Sequence, residues 1–195
     1  MIDFKSLKPR GPITPIPLVE SDGLYLVDRG MMHDDALWQA PDNVVRKFCR
    51  SFRNTWGQIP SNDRARLLEY WNPRVETYPI PEIVLSDGQS KWGYYTASCR
   101  EWGYQLDFDA VFVGYTKPKQ LSNAIAHELG HALSHADGWF KQHACEAECG
   151  KECVACECRT FSYMAAWKFD PFLDLLPQRK RLTRRFYDAG KQRIR

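Results

Sequence analysis

The sequence has no long hydrophobic run, no repeated segment and no low-complexity stretch. None of its segments approaches the ~18 consecutive apolar residues that a membrane-spanning helix needs. Residues 1–17 lack the apolar stretch of a secretory signal and become rich in proline instead. We therefore expect a protein that has no membrane partner and resides in the cytoplasm.

The cysteine content does not fit a secreted, disulfide-linked scaffold. Seven cysteines are an odd number, and a chain of 195 residues is not small. Five of them form a cluster, made of Cys145, Cys149, Cys153, Cys156 and Cys158. Thiols packed between helices are the favoured interpretation, and a second metal site or a redox switch is the alternative. A single ion would need a break near Gly150, because Cys145 and Cys156 lie ~16 Å apart along a straight helix.

The net charge of the chain is small, and a marked excess of one sign occurs only at its end. Residues 178–195 carry eight Lys or Arg and one Asp, a net charge of +7, which leaves −4 for the rest of a chain whose total is +3. A basic tail of this kind can contact nucleic acid or another acidic surface, and a solvated terminal helix is the alternative.

The remaining composition predicts a globular protein, with 44% hydrophobic and 13% aromatic residues. Four prolines exclude a regular helix early in the chain, at Pro9, Pro12, Pro15 and Pro17. We divide the chain into an extended N-terminal segment (1–40), a single domain (41–177) and the basic C-terminal tail (178–195).

Within the domain, apolar spacing predicts several helices and strands. The predicted helices include residues 42–56, 61–71 and 151–167. A further helix is predicted between Thr116, which caps it, and Gly138, which ends it, with Pro118 in its first turn. The predicted strands are 82–85, 92–100 and 104–115, of which the last two form a hairpin around residues 102–103. The second strand of this hairpin could offer an open edge to which a substrate adds as an extra strand.

The most informative segment is residues 127–131, which read His-Glu-Leu-Gly-His. Two histidines four apart stand one above the other on a helix face, so both rings can reach one zinc ion. The flanking residues are small or apolar and predict a buried helix: Ile125, Ala126, Leu129, Ala132 and Leu133. Because unpaired polar groups inside a protein cost several kcal/mol, the buried histidines need a partner that a metal ion supplies. Glu128 is placed to act as the general base on a water molecule.

A catalytic zinc needs a third protein ligand. Glu157 fits best, because the helix that carries it can return antiparallel and project it toward the two histidines. Asp137 and His143 are alternatives, since Asp137 follows His131 at a spacing known from other HExxH sites. His135 lies ~12 Å from His127 along the helix axis and cannot join both histidines on one ion. Three further glutamates remain open as ligands, namely Glu146, Glu148 and Glu152.

An HExxH helix followed by a glutamate helix resembles the gluzincin zinc metallopeptidases. The order of hairpin, HELGH helix and glutamate helix is most similar to the small members of the ImmA/IrrE type. Their Glu-Ala-x-x-Phe-Ala stretch is similar to residues 157–162, which read Glu-Cys-Arg-Thr-Phe-Ser. The resemblance covers roughly residues 81–170. The SprT-like proteases, the second choice, share the order of hairpin and HExxH but use a third histidine.

The resemblance implies an α+β fold of the minimal zincin-like type. In such a fold a short antiparallel sheet packs on the HExxH helix and on the glutamate helix, and extra N-terminal helices precede them. It also implies limited, zinc-dependent cleavage of a protein or peptide partner, with His127, His131 and Glu157 as ligands and Glu128 as base. The alternative is a non-enzymatic zinc scaffold whose basic tail binds nucleic acid or a protein.

Overall fold

The described part of the chain runs through three strands, two α-helices, five strands and three more α-helices. The structure is a computed structural model and describes residues 8–9, 11–33, 36–72, 81–86, 89–90, 93–94, 97–100, 103–139 and 154–170. The helices in these ranges are α1 (Asp42–Gln58), α2 (Ser61–Tyr70), α3 (Ala110–Tyr115), α4 (Pro118–Ala136) and α5 (Val154–Ala166). The strands are β1 (Ile16–Val19), β2 (Leu24–His33), β3 (Ala36–Trp38), β4 (Glu82–Ser86), β5 (Gln89–Ser90), β6 (Gly93–Tyr94), β7 (Ala97–Arg100) and β8 (Gln105–Asp109).

The main sheet is mixed, so the prediction of an antiparallel sheet is wrong, whereas the α+β class is confirmed. Its strand order is β1-β2-β4-β8-β7, and β3 pairs separately with β2. β4 runs parallel to both β2 and β8, while β1 and β7 pair antiparallel with their neighbours. Parallel pairing follows from the connections, because α1 and α2 carry the chain from the end of β2 back to the start of β4.

The proline-rich N-terminal region contributes strands and no α-helix within its described part. β1 and β2 form an antiparallel pair in which Ile16 faces Leu26. Leu18, Leu24 and Leu26 are almost fully buried. Residues 16–33 therefore belong to the sheet that also carries β4 and β8.

α1 covers the core with a stripe of large side chains. Val44, Phe48, Phe52 and Trp56 recur at every fourth position and are at most 1% exposed, which is the spacing of one helix face. The Phe48 ring lies 4.8 Å from the ring of Phe108 on β8. Helix α1 therefore packs on β8, the strand of the sheet that precedes α4 in the chain. The predicted range of α1, 42–56, is confirmed, with two further residues at its C-terminal end.

The predicted strand 104–115 is correct only in its first half. The hairpin is confirmed, because β7 pairs antiparallel with β8, but the chain turns into α3 at Ala110. The Asp109 carboxylate accepts a hydrogen bond of 2.7 Å from the backbone N–H of Phe112, and this cap starts the helix. Residues 110–113 are all apolar, so alternation could not reveal the change from strand to helix.

The open edge also lies elsewhere than predicted. β8 is paired on both sides, with β4 and with β7, and it offers no free edge. Among the described strands, β7 pairs with β8 alone. It also lies against α4. The edge strand beside the HExxH helix is therefore β7.

Helix α4 lies at the centre of the helical layer and contacts α1, α2, α5 and β7. Pro118 occupies its first turn as predicted, but Lys117 rather than Thr116 is the N-cap, and Thr116 ends α3. The five flanking residues predicted to be buried are 0% exposed: Ile125, Ala126, Leu129, Ala132 and Leu133. After Ala136 the chain reverses at Gly138, which adopts a left-handed φ of 68°.

α5 packs against α4 at a glycine. A Cβ atom at Gly130 would lie 2.9 Å from Cγ2 of Thr160 and 3.4 Å from its carbonyl oxygen. The helix predicted for residues 151–167 is found from Val154 onward, and residues 151–153 lie outside the described part of the chain. Gly130 is therefore a point of close approach between the two helices.

No helix among the described residues combines the length and apolar character needed to cross a bilayer.

Replacing Gly130 by alanine should force α5 away from α4. Overpacking of this kind costs about 1–3 kcal/mol, which exceeds the ~1 kcal/mol that alanine gains over glycine in a helix. We expect a lower free energy of unfolding in urea titrations.

Gly57 in α1 is the matched control, because a Cβ there meets nothing within 4 Å. Gly57→Ala should be neutral or slightly stabilising. Equal stability of the two variants would contradict the close packing at Gly130.

Candidate metal centre

Three side chains bring metal-binding atoms together at the contact of α4 and α5. The Nε2 atoms of His127 and His131 lie 3.1 Å apart. Glu157 approaches both, with Oε2 3.5 Å from Nε2 of His127 and Oε1 3.2 Å from Nε2 of His131. Among the described residues, these three form the one group of at least three potential ligands that could hold a metal ion.

Helix geometry places the two histidines. Because they are four residues apart in α4, their rings lie on one face of the helix. The rings meet edge to face, with centroids 4.7 Å apart and planes at 83°. Burial lowers the pKa of His127 to about 4; the nearby Glu157 opposes this shift, and His131 adds to it. The His127 ring is therefore neutral at pH 7, which is the form that binds a metal.

One face of α5 supplies the rest of the centre. Glu157, Thr160 and Phe161 share this face, since they are three and four residues apart. The Thr160 hydroxyl lies 3.1 Å from Nδ1 of His131, and the Phe161 ring lies 5.5 Å from the His127 ring. Both residues are buried. The sequence analysis missed them, although their spacing from Glu157 was a signal that could have revealed them.

The contact between the Thr160 hydroxyl and Nδ1 of His131 bears on the tautomer of this histidine. When the hydroxyl accepts a hydrogen bond from a protonated Nδ1, Nε2 of the neutral ring keeps its lone pair. That lone pair lies on the side of His127 and Glu157. Such outer partners hold a metal-binding histidine in one tautomer and orientation.

Glu128 lies beside the cluster and is 6% exposed. Burial raises the pKa of this carboxyl to about 7, with His131 opposing and Glu157 reinforcing the shift, and a backbone hydrogen bond from Cys99 lowers it again. This hydrogen bond links Glu128 to the edge strand β7. The carboxyl is thus held between the metal-binding atoms and the sheet edge and can exchange a proton near neutral pH.

The other candidate ligands on α4 are not part of the cluster. Asp137 accepts a hydrogen bond of 3.2 Å from Arg159 and further hydrogen bonds from Arg66 and Tyr163. Burial lowers the pKa of His135 to about 3, with His131 adding to the shift, and its Cβ and Cδ2 atoms lie 3.3 Å from where a Cβ at Gly103 would be. The remaining alternatives fall outside the described residues: His143, Glu146, Glu148 and Glu152.

Only part of the cysteine cluster can be placed. Cys156 and Cys158 are buried on α5, while Cys145, Cys149 and Cys153 lie outside the described residues. The basic tail, 178–195, lies outside them as well. The interpretations of the full cluster and of the tail therefore stay predictions.

No protein-family model, curated protein or solved structure matches the chain. What the site does therefore has to follow from its own residues and their geometry.

Removing the Thr160 hydroxyl should weaken metal binding. Thr160→Val keeps the volume of the side chain but leaves Nδ1 of His131 without this partner, and loss of such a contact typically costs 10–100-fold in metal affinity. Competition titrations against a chromophoric zinc chelator measure the change. Thr160→Ser keeps the hydroxyl and should bind zinc with nearly the affinity of the original chain; equal affinities of the valine and serine variants would argue against this contact.

Proposed function

We propose that the chain is a zinc-dependent peptidase that cleaves a protein or peptide partner by limited endoproteolysis. The observation that supports this most is the joint position of four side chains. Three of them can hold an ion, His127, His131 and Glu157, and Glu128 lies beside them as a buried carboxyl. A structural zinc site does not need such a base.

The spacing of the ligand atoms fits a zinc ion. Atoms that lie about 2.0–2.1 Å from a tetrahedral zinc are about 3.3–3.4 Å from one another. Here the two Nε2 atoms are 3.1 Å apart, Oε1 of Glu157 lies 3.2 Å from His131, and its other oxygen, Oε2, lies 3.5 Å from His127. Two imidazoles and one carboxylate are also a ligand set of catalytic zinc sites, which keep the fourth position open.

When held by His127, His131 and Glu157, zinc would supply a Lewis acid for the scissile carbonyl and lower the pKa of water to near 7. The chain's own residues handle the proton. Glu128 takes a proton from the attacking water as the C–O bond forms, and it delivers this proton to the amine nitrogen of the leaving fragment as the C–N bond breaks. Burial raises the pKa of Glu128, so its carboxylate accepts a proton more readily than an exposed one.

The edge strand β7 is the surface on which an extended substrate can bind. Because the Cys99 backbone N–H is engaged by Glu128, it points away from β8 and toward the free edge. Backbone groups alternate in direction along a strand, so those of Ala97 face the same edge. A substrate that pairs with β7 as an added strand places its backbone beside Glu128.

The resemblance of the sequence to the gluzincins also favours a particular fold and a particular mode of cleavage. We infer a zincin-like domain of the gluzincin type, similar to the ImmA/IrrE-type members, in which β7, α4 and α5 surround the metal. The resemblance favours cleavage of a specific protein partner over general digestion.

Glu128→Gln should abolish cleavage and preserve zinc binding. Glutamine has nearly the same shape but cannot accept the proton, and loss of a general base typically costs 10²–10⁴-fold in rate. We expect one zinc per chain in both proteins by elemental analysis. Fragments found by mass spectrometry when a cell lysate is incubated with the original chain should be missing with the variant.

Two results would contradict the proposal separately. Equal turnover by Glu128→Gln would remove Glu128 from the reaction. If no fragments arise from the zinc-loaded original chain, the peptidase function itself fails, whatever the metal content.

Once a substrate peptide is known, N-methylation of its backbone should reveal pairing with β7. A methyl group removes an amide donor, and only every second residue of an added strand points its amide at the neighbouring strand. We expect KM to rise at alternate positions of a methylation scan. A uniform effect at all positions, or none, would show that the substrate does not bind as a strand.

A further inference from the structure

α5 carries a second stripe of polar and aromatic residues that the proposed chemistry does not use. Arg159, Tyr163 and Trp167 follow one another at every fourth position, so they share one side of α5 and its extension. This stripe is distinct from the face that holds Glu157, Thr160 and Phe161. Its contacts converge on two aspartates of other helices.

Asp137, which immediately follows α4, is the centre of these contacts. Its Oδ2 accepts a hydrogen bond of 3.2 Å from Arg159 and another from the Tyr163 hydroxyl. Its Oδ1 accepts a hydrogen bond from Arg66 on α2. The Asp137 side chain is only 13% exposed. The carboxylate therefore joins α2, α4 and α5 in one place.

The surrounding groups stiffen this junction. The Arg159 guanidinium lies 4.8 Å from the Tyr163 ring centroid, and Arg159 Nε donates a hydrogen bond of 3.0 Å to the Tyr163 hydroxyl. The Trp167 indole donates to Asp63 at 2.8 Å, and Arg66 donates to the same aspartate at 2.9 Å. Hydrogen bonds with charged partners in a partly buried network hold geometry more strongly than isolated surface pairs.

We infer that Asp137 is a positioning residue, which fixes α5 through Arg159 and Tyr163 and thereby holds the Glu157 carboxylate at His127 and His131. Arg159 is two residues from Glu157, and Tyr163 is six residues from it. A helix is stiff over this distance, so a shift of the Asp137 contacts displaces Glu157. This inference depends on the three-ligand site of the proposed function and not on peptide cleavage.

The test is a double-mutant cycle on zinc affinity. Asp137→Asn keeps the shape of the side chain and removes its charge, and we expect zinc binding to weaken about 10–100-fold in chelator competition. Glu157→Ala should weaken it more. In the Glu157→Ala background Asp137→Asn should cost little further affinity, because a positioning residue acts only through the ligand that it positions.

Asp28 provides a control for a general loss of stability. Its carboxylate accepts hydrogen bonds from the backbone of Gly30 at 2.9 Å and of Ala40 at 3.0 Å, away from α5. Asp28→Asn should lower the thermal unfolding temperature of the metal-free protein without changing zinc affinity. The visible spectrum of bound Co²⁺ should be unchanged in Asp28→Asn and altered in Asp137→Asn toward that of Glu157→Ala.

If Asp137→Asn does not fold, Tyr163→Phe tests the same contact, because it removes one hydrogen bond to Asp137 and keeps the aromatic ring. We expect it to weaken zinc binding about three- to tenfold, again only when Glu157 is present.

The outcomes separate the two proposals. Unchanged affinity in Asp137→Asn and Tyr163→Phe, or equal losses with and without Glu157, would overturn the positioning role alone. If the original chain binds no zinc, both the metal site and this inference fail. Coupled losses in a protein that cleaves nothing would uphold the inference and refute the peptidase.

Discussion

The contact between α4 and α5 at Gly130 and Thr160 is the constraint on which the site depends. The two histidines on α4 offer two candidate ligands, and the third candidate, Glu157 on α5, lies 26 residues beyond His131. A side chain at position 130 would meet Thr160 at 2.9 Å, so only a glycine allows this approach. The same contact places the Thr160 hydroxyl on His131. The glycine within the motif is therefore part of the architecture of the metal centre.

The electrostatics of the cluster argue for a cation. Glu128 is 6% exposed, and Glu157 faces His127 and His131 within 3.5 Å, with all three of these side chains partly buried at 16–25% exposure. Two carboxyl groups held this close together and partly out of water are costly without a partner of opposite charge. Hydrogen bonds between the groups offset part of this cost, because one neutral ring can donate from its Nε2 to the Nε2 of the other. A divalent ion would instead accept the lone pairs of both rings and of Glu157 at once.

Local patterns allowed much of this site to be predicted. The spacing of His127 and His131, the position of Glu128 between them and the helix of Glu157 all follow from short-range periodicity, as does the β7–β8 hairpin. The mixed sheet could not be predicted in the same way, because strand direction depends on connections through α1 and α2. The change from strand to helix at Ala110 was missed because the four residues from Ala110 to Val113 are all apolar. Asp109, the cap, was assigned to the alternating pattern of a strand.

Asp137 shows why spacing along the sequence is not sufficient to identify a metal ligand. Its distance along the sequence from His131 made it a candidate ligand, yet its two oxygens are occupied by Arg66, Arg159 and Tyr163. Those partners come from α2 and α5, and nothing in the sequence around Asp137 identifies them. Because α5 presents Glu157 on one side and Arg159 and Tyr163 on another, its position is set by two independent sets of contacts. A helix fixed on two sides has little freedom to rotate, and a metal site needs that rigidity from the helix that supplies its third ligand.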